Sequence, residues 1–527
     1  MHDSPPPHSG RQPERHDQPQ PGKPSITVGL WIELSDAALA DGHGEGLIRW
    51  TRALISGFDA VPAVEAIVVP CQPGSERLMA ALFAADAADG WPQQLISSKL
   101  KIITGSRSHG RAAALHHWLD RKQRRCRDRL AGLGASADPL SWLRALLPGR
   151  DKRRKPLRFA LAMLGRLWKL LGAAGLLGFT ALLRPFVRRL PTPFESLARE
   201  FSRRDGIGLW IVPNPVWTAA ALLSGRLVVN VADIVYREFP LPDLAATDIE
   251  RHTAGLHLLA AKADSVVCFS EHVAERQVRP VIGGVARRIV VVPHAPFRTQ
   301  PCALASDASH RRLADDLRGH FRHPQPHRYF CDFPFERVEY LLVSSKCRPY
   351  KNYAGILQAY EEILRRHRRD LKLIVTGHIS GNPDLAAVLH RRGLVFDVVE
   401  ATNLPDDVHA RLLQHARALV IPTFFEAALP FGFAEAVGLG TPVAMARIPV
   451  VEEALGRDAV AAPEYFAPHD IPAMTQAIVH VLDHTAAVLA RQRGIVAGLQ
   501  QRTWADVAAD YLALGQGAGP AAHVGAG

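Results

Sequence analysis

Short runs made almost wholly of aliphatic residues recur along the chain. They stand at 26–34 (ITVGLWIEL), 64–69 (VEAIVV), 100–104, 208–213 (GLWIVP), 227–231 (LVVNV), 265–269 (SVVCF) and 289–293 (IVVVP). A second set follows at 340–344 (YLLVS), 371–376 (LKLIVT), 395–399 and 418–422 (ALVIP). A strand with one wet face alternates apolar and polar residues. These runs do not alternate, so both faces need cover. Helical patterns between them, as at 249–263, 353–366 and 407–416, supply it. Strands alternating with helices form mostly parallel sheets, so the fold class is α/β. At 527 residues the chain is too long for one ordinary core, and the two sets of runs predict two Rossmann-like domains.

The rhythm sets the expected boundaries. Residues 1–25, polar and Pro-rich without an apolar core, read as a disordered tail with no export signal. The first α/β domain spans 26–300, residues 301–335 form an irregular linker, and the second domain spans 336–500. A helix at 501–515 is expected to cross back to the first domain, before a frayed end at 516–527. Six scattered cysteines without a C-x-x-C pair argue against a disulfide framework or zinc site and fit a reducing cytosol.

Residues 105–205 break the pattern as a basic and apolar helical insert. Counted from residue 99, this region holds 25 basic and 7 acidic residues, a net +18, so the rest of a chain of net +12 sums to −6. Within it, 170–183 is uncharged between Lys169 and Arg184, with Trp168 and Phe186 near its ends. That is shorter than the roughly 20 residues of a bilayer span. The expectation is a peripheral contact with anionic membrane on its cytoplasmic face, and not with nucleic acid. A helix packed on the first domain with a solvated basic face is the other reading.

The chemistry-bearing residues cluster between 340 and 456, in SSKCRPYKN (344–352), LIVTG (373–377), LPDDVHARLLQHARALVIPT (404–423), FEAALPFGFAEAVGLGTPV (425–443) and IPVVEEALG (448–456). In this order they resemble glycosyltransferase family 4, the group 1 transferases of the GT-B fold, over the whole C-terminal half. The N-terminal half resembles the family in its Gly-rich loop and in ADSVVCFSEHVAERQV (263–278) before IVVVPH (289–294).

The resemblance implies two domains facing across a donor cleft and a retaining, metal-independent hexosyltransferase. It would move a sugar from a UDP- or GDP-linked donor to a glycan or lipid-linked acceptor, with no cofactor beyond the donor. Bacterial-type polysaccharide or glycolipid synthesis is the setting it suggests. A departing diphosphate gathers negative charge, which fixed cations and backbone N–H groups can meet. By the resemblance Lys351 is the phosphate-binding lysine, with Lys346 or Arg348 as the second cation. Glu435 would hold the ribose hydroxyls and Glu426 the donor sugar. Gly432 and Phe433 would offer helix N-terminal N–H groups to phosphate. Gly377 would allow close approach of the diphosphate or base, and Gly44 and Gly46 would form the loop over the donor phosphates. Asp233 would contact acceptor or donor sugar. Glu453 matches a family glutamate by position, with the fixing of a loop as its other reading.

The sequence departs from the family at three points. The two glutamates stand nine apart instead of eight, the usual E-G-F-G opening is E-A-A-L, and Ala232 replaces the histidine of an H-D strand end. Two further readings of the residues stay open, an inactive GT-B scaffold kept for interaction and a GT-B sugar-nucleotide epimerase.

Overall fold

The computed structural model describes residues 25–34, 46–84, 96–105, 191–204, 206–241, 244–297, 306–321, 329, 333–367 and 370–518. Seven strands form the first sheet: β1 (Ile26–Leu30), β2 (Val64–Cys71), β3 (Leu100–Thr104), β4 (Ile207–Val212), β5 (Arg226–Asn230), β6 (Ser265–Cys268) and β7 (Ile289–Val291). Their order is β3-β2-β1-β4-β5-β6-β7, and the pairings are parallel, as in Val28 beside Ile67 and Leu209. The second sheet holds β8 (Tyr340–Val343), β9 (Lys372–Val375), β10 (Val398–Glu400), β11 (Ala418–Ile421), β12 (Val443–Ala446) and β13 (Tyr465–Phe466). Its order is β10-β9-β8-β11-β12-β13, again parallel. The fold is GT-B, as the sequence led us to expect.

In each sheet the strand order reverses once, between β1 and β4 and between β8 and β11. At such a reversal the flanking crossovers leave to opposite faces. A crevice opens outside the carboxyl ends of the strands, where α/β folds bind ligands.

Helices α1 (Gly46–Asp59), α2 (Pro193–Phe201) and α3 (Ala246–Lys262) belong to the first unit. Thr192 and Glu195 close a capping box at the start of α2, with Thr192 accepting from Glu195 N at 3.1 Å. Helices α4 (Ser306–Phe321), α5 (Tyr353–Arg365), α6 (Asp406–Gln414), α7 (Phe431–Leu439) and α8 (Ile471–Asp483) belong to the second. Helix α4 corrects one expectation: the 301–335 stretch is not wholly irregular. Leu313, Ala314 and Leu317 of α4 are buried in the second core, so this part of the chain is a packed element.

The last helix, α9 (Trp504–Gly515), returns to the first unit. Its Val507, Ala508, Tyr511 and Leu514 are buried in the first core, and the Tyr511 hydroxyl donates to Asn230 Oδ1 at 2.7 Å. Gly57 of α1 makes this docking possible, because a Cβ there would lie 2.1 Å from the Trp504 carbonyl oxygen.

Other contacts tie the units at the cleft. Glu453 accepts from the N–H groups of Glu271 (2.7 Å) and His272 (2.9 Å), and Ser270 Oγ donates to the Ala427 carbonyl (2.9 Å). Ring contacts add His294 to Phe431 at 4.5 Å and Phe239 to Tyr350 at 5.8 Å. Burial among these rings pushes the His294 imidazole down to about 4.

Among the described residues no helix is long and apolar enough to cross a membrane. The basic and apolar stretch 106–190, including 170–183, lies outside the described residues, as do the tail before residue 25 and Gly44.

Candidate active site

The crevice of the second sheet lies between β8 and β11, and the segments that leave these two strands carry Lys351 and Glu426. Each segment is fixed by polar contacts to the other. Asn352, just after Lys351, takes a left-handed backbone (φ 55°, ψ 39°), which asparagine tolerates better than most residues. Its Oδ1 accepts from Gly355 N (3.1 Å) and so caps α5, while its Nδ2 donates to the carbonyls of Pro422 (3.0 Å) and Pro468 (2.8 Å). The Tyr350 carbonyl accepts from Phe424 N at 2.8 Å, with Thr423 Oγ1 3.0 Å away. Lys351 and Glu426 are thereby presented together, and Nζ meets Oε1 at 2.5 Å. Both side chains are about one-sixth exposed (17 % and 18 %), so the pair is open on one side.

The altered E-A-A-L stretch has a visible use. Ala427 and Ala428 pack on the first core, Leu429 packs on the second, and the Ala427 carbonyl receives Ser270. The extra residue belongs to a loop that bridges the units.

Helix α7 begins at Phe431, and Glu435 sits one turn in, 5 % exposed. Its carboxylate pairs with Arg49 of α1, across the cleft and 386 positions away in sequence. Arg49 also lies over the Phe297 ring, 4.8 Å from its centre. Gly46 starts α1 close by, with the Phe431 ring 4.0 Å from where a Cβ would stand, so the first turns of α1 and α7 adjoin. His409 of α6 accepts from or donates to Ser344 Oγ at 2.7 Å. Burial lowers its pKa, with Glu435 acting the other way.

Asp233 reaches the cleft from the end of β5. Its Oδ1 accepts from Val235 N at 3.1 Å. Burial raises its pKa, and the neighbouring Glu426 adds to the rise while Lys351 opposes it. Asp233, Glu426 and Lys351 therefore share one electrostatic neighbourhood.

The remaining expected residues divide. Lys346 is exposed and Arg348 half-buried on the segment before Lys351, and Lys351 N donates to the Arg348 carbonyl at 2.9 Å. Gly432 is packed so closely that a Cβ would lie 3.3 Å from Leu419. Phe433 is fully buried, and its N–H is already given to the Pro430 carbonyl at 3.1 Å, so that N–H is not spare for phosphate. At Gly377 a Cβ would lie 2.4 Å from the Tyr353 hydroxyl and 2.9 Å from Cys347 N. Packing of the 345–347 loop is thus enough to require glycine there. Glu453, at the two backbone N–H groups described above, joins the units. Arg49 and His409 were not picked out from the sequence. Only the place of Arg49 in the first turn after a Gly-rich loop could have pointed to it.

A family model for the glycosyl transferases group 1 matches residues 338–484. This segment, well under half of the chain, is similar to the group 1 glycosyltransferases. It holds Lys346, Arg348, Lys351, Gly377, Glu426, Gly432, Phe433, Glu435 and Glu453, while Asp233, Gly46 and Arg49 lie outside it. The O-antigen chain mannosyltransferase B of Escherichia coli is 29 % identical over 169 residues, which cover 31 % of this chain and 42 % of that protein. Among solved structures, the sucrose-phosphate synthase of Thermosynechococcus elongatus aligns over 93 % of this chain and 98 % of its own (14 % identity, TM-score 0.51). The Anabaena protein HepE, solved with UDP-glucose, aligns over the same shares (13 % identity, TM-score 0.50). These two similarities show the fold of the chain.

Proposed function

We propose that this group 1 glycosyltransferase moves a hexose from a UDP- or GDP-linked donor to a glycan or lipid-linked acceptor, with retention and without a metal. The observation that carries the reading is the meeting of Lys351 and Glu426 at the β8/β11 reversal, with Glu435 one turn inside the adjoining helix. A diphosphate leaving group needs positive charge where it departs, and a fixed ammonium supplies it without a divalent ion. Lys351 has that role, with Lys346 or Arg348 second and the start of α7 adding its dipole. Glu435 takes the ribose diol, because a carboxylate accepts two hydrogen bonds side by side. Glu426 and Asp233 face the sugar, where positive charge grows as the bond to the diphosphate breaks. The bond to the acceptor oxygen forms as that bond breaks, and the acceptor's proton leaves with the diphosphate.

The Escherichia coli relative is a mannosyltransferase, so a mannosyl donor stands first in a screen. The test is thermal shift with GDP- and UDP-linked sugars in EDTA, followed by turnover with the donor that binds. A donor that stabilises the protein in chelator, by mass action, supports the reading. Binding by no nucleotide sugar, or turnover that returns only with manganese, refutes it.

The net charge of +18 over 99–205 supports a second part of the proposal, attachment to the cytoplasmic face of an anionic membrane. Flotation with anionic liposomes should weaken with salt and vanish when 150–190 are deleted. A protein that stays unbound at low salt would remove this part alone.

A further inference from the structure

The two carboxylates assigned to donor hydroxyls are both engaged by cations. Glu426 holds Lys351 within one unit, and Glu435 holds Arg49 from the other. A nucleotide sugar that brings its ribose diol to Glu435 and its sugar hydroxyls to Glu426 must displace both cations from at least one carboxylate oxygen. The same ligand carries a diphosphate of about two negative charges at the intervening position. The exchange balances in number and charge: two cations leave carboxylates and two phosphate groups arrive.

Arg49 is suited to this exchange in three ways. Its side chain is 31 % exposed against 6 % for Glu435, so the guanidinium is the partner that can move. It stands in the first turn of α1, whose first residue Gly46 adjoins the Phe431 ring that opens α7, and helix starts favour an anion. A guanidinium binds phosphate with two parallel N–H groups, which an ammonium cannot do.

We infer that Arg49 is a donor-binding residue supplied by the N-terminal unit, and that it exchanges the Glu435 carboxylate for the donor's diphosphate. The inference rests on the donor reading above and adds a ligand to it. It also makes donor binding a bridge between the units, since Arg49 is outside the segment that holds the other donor residues.

The experiment is titration calorimetry of the full chain with four probes: UDP, GDP, uridine and guanosine. Wild type, Arg49→Met and Arg49→Lys are compared. For the nucleobase that binds, Arg49→Met should weaken the diphosphate about ten-fold or more, a size in keeping with one charge-assisted contact. Nucleoside affinity should hold or tighten, because Arg49 no longer competes with the ribose for Glu435. Arg49→Lys should recover part of the loss. Equal loss for diphosphate and nucleoside would mean that Arg49 acts only by holding Glu435, and would overturn the inference. Tighter diphosphate binding in Arg49→Met would overturn it too, leaving Arg49 as a bolt that the donor must open. If wild type binds none of the four probes, the donor reading fails first and this inference with it.

Discussion

The two crevices of this molecule are built alike and furnished differently. At the β8/β11 reversal the departing segments carry a lysine and a glutamate in contact, on loops tied to each other by Asn352 and Thr423. At the β1/β4 reversal the chain beyond β1 presents Glu33. Its Oε1 accepts from Trp31 Nε1 and from Ala219 N, both at 2.8 Å. Burial pushes this carboxyl up to about 7. One crevice has charges of opposite sign held ready for a charged ligand. Among the described residues just beyond β1, the other has an acid whose pKa burial raises, anchored to its own domain. The difference teaches that a shared topology places a crevice, while the segments leaving its strands decide how an acid there is held.

The sharpest way to break this comparison is at Lys351. Lys351→Ala should lower turnover by about two to three decades, the usual size for loss of one fixed electrostatic stabiliser. Its thermal midpoint should move little, because the ammonium is not a packing group. Within the same crevice Glu426→Ala should lower turnover, and Glu435→Ala should mainly weaken donor affinity. Steady-state kinetics with the donor separates them, and identical patterns would merge the two roles.

Substitutions behind the first crevice should act on stability instead. Gly57→Ala forces a methyl into the Trp504 carbonyl, an overpacking that costs about 1–3 kcal/mol. Denaturant midpoints should record that loss, with donor affinity of the folded protein unchanged. Tyr511→Phe removes the bond to Asn230 and should cost about 1 kcal/mol on the same measurement. Donor affinity that falls with either change would show that the crevices are more closely coupled than their separate cores suggest.

A further effect concerns pH. The ordinary glutamate value is 4.5, and Glu33 in the folded protein stands at about 7. Below the lower value both states are protonated. Between the two values the unfolded chain ionises and the folded one does not, so stability falls as pH rises through this window. Glu33→Gln keeps an acceptor for Trp31 and Ala219 and cannot ionise. The gap between variant and wild-type thermal midpoints should therefore widen in the variant's favour from pH 4.5 to 7 and then level off. A constant gap would show that Glu33 is not the group that titrates.

How much of this was legible in the sequence follows from range. Parallel strands buried on both faces declare themselves as unbroken apolar runs, so β1 to β11 could be read to within a few residues. Strands β12 and β13 have four and two residues and were not singled out. Glu426 and Glu435 stand in one local motif, and Lys351 follows the strand beside theirs in a second motif 75 positions earlier, so the resemblance could bring the three together. Arg49 could not, since its partner is 386 positions away and no local pattern encodes that pairing. Glu453 matches a family glutamate by position, and its carboxylate accepts from backbone N–H groups of the other unit, in line with a residue that fixes a loop.

The return of α9 to the first sheet bears on how the chain is made. The first sheet ends with β7 at Val291, yet its core is closed by Val507, Ala508 and Tyr511. Synthesis runs at about 5–20 residues per second, so on the order of ten seconds or more separates the two events. Through that interval the nascent chain exposes the apolar groove that α9 will fill. The half that leaves the ribosome first is the half that matures last, and a chaperone has its natural target there.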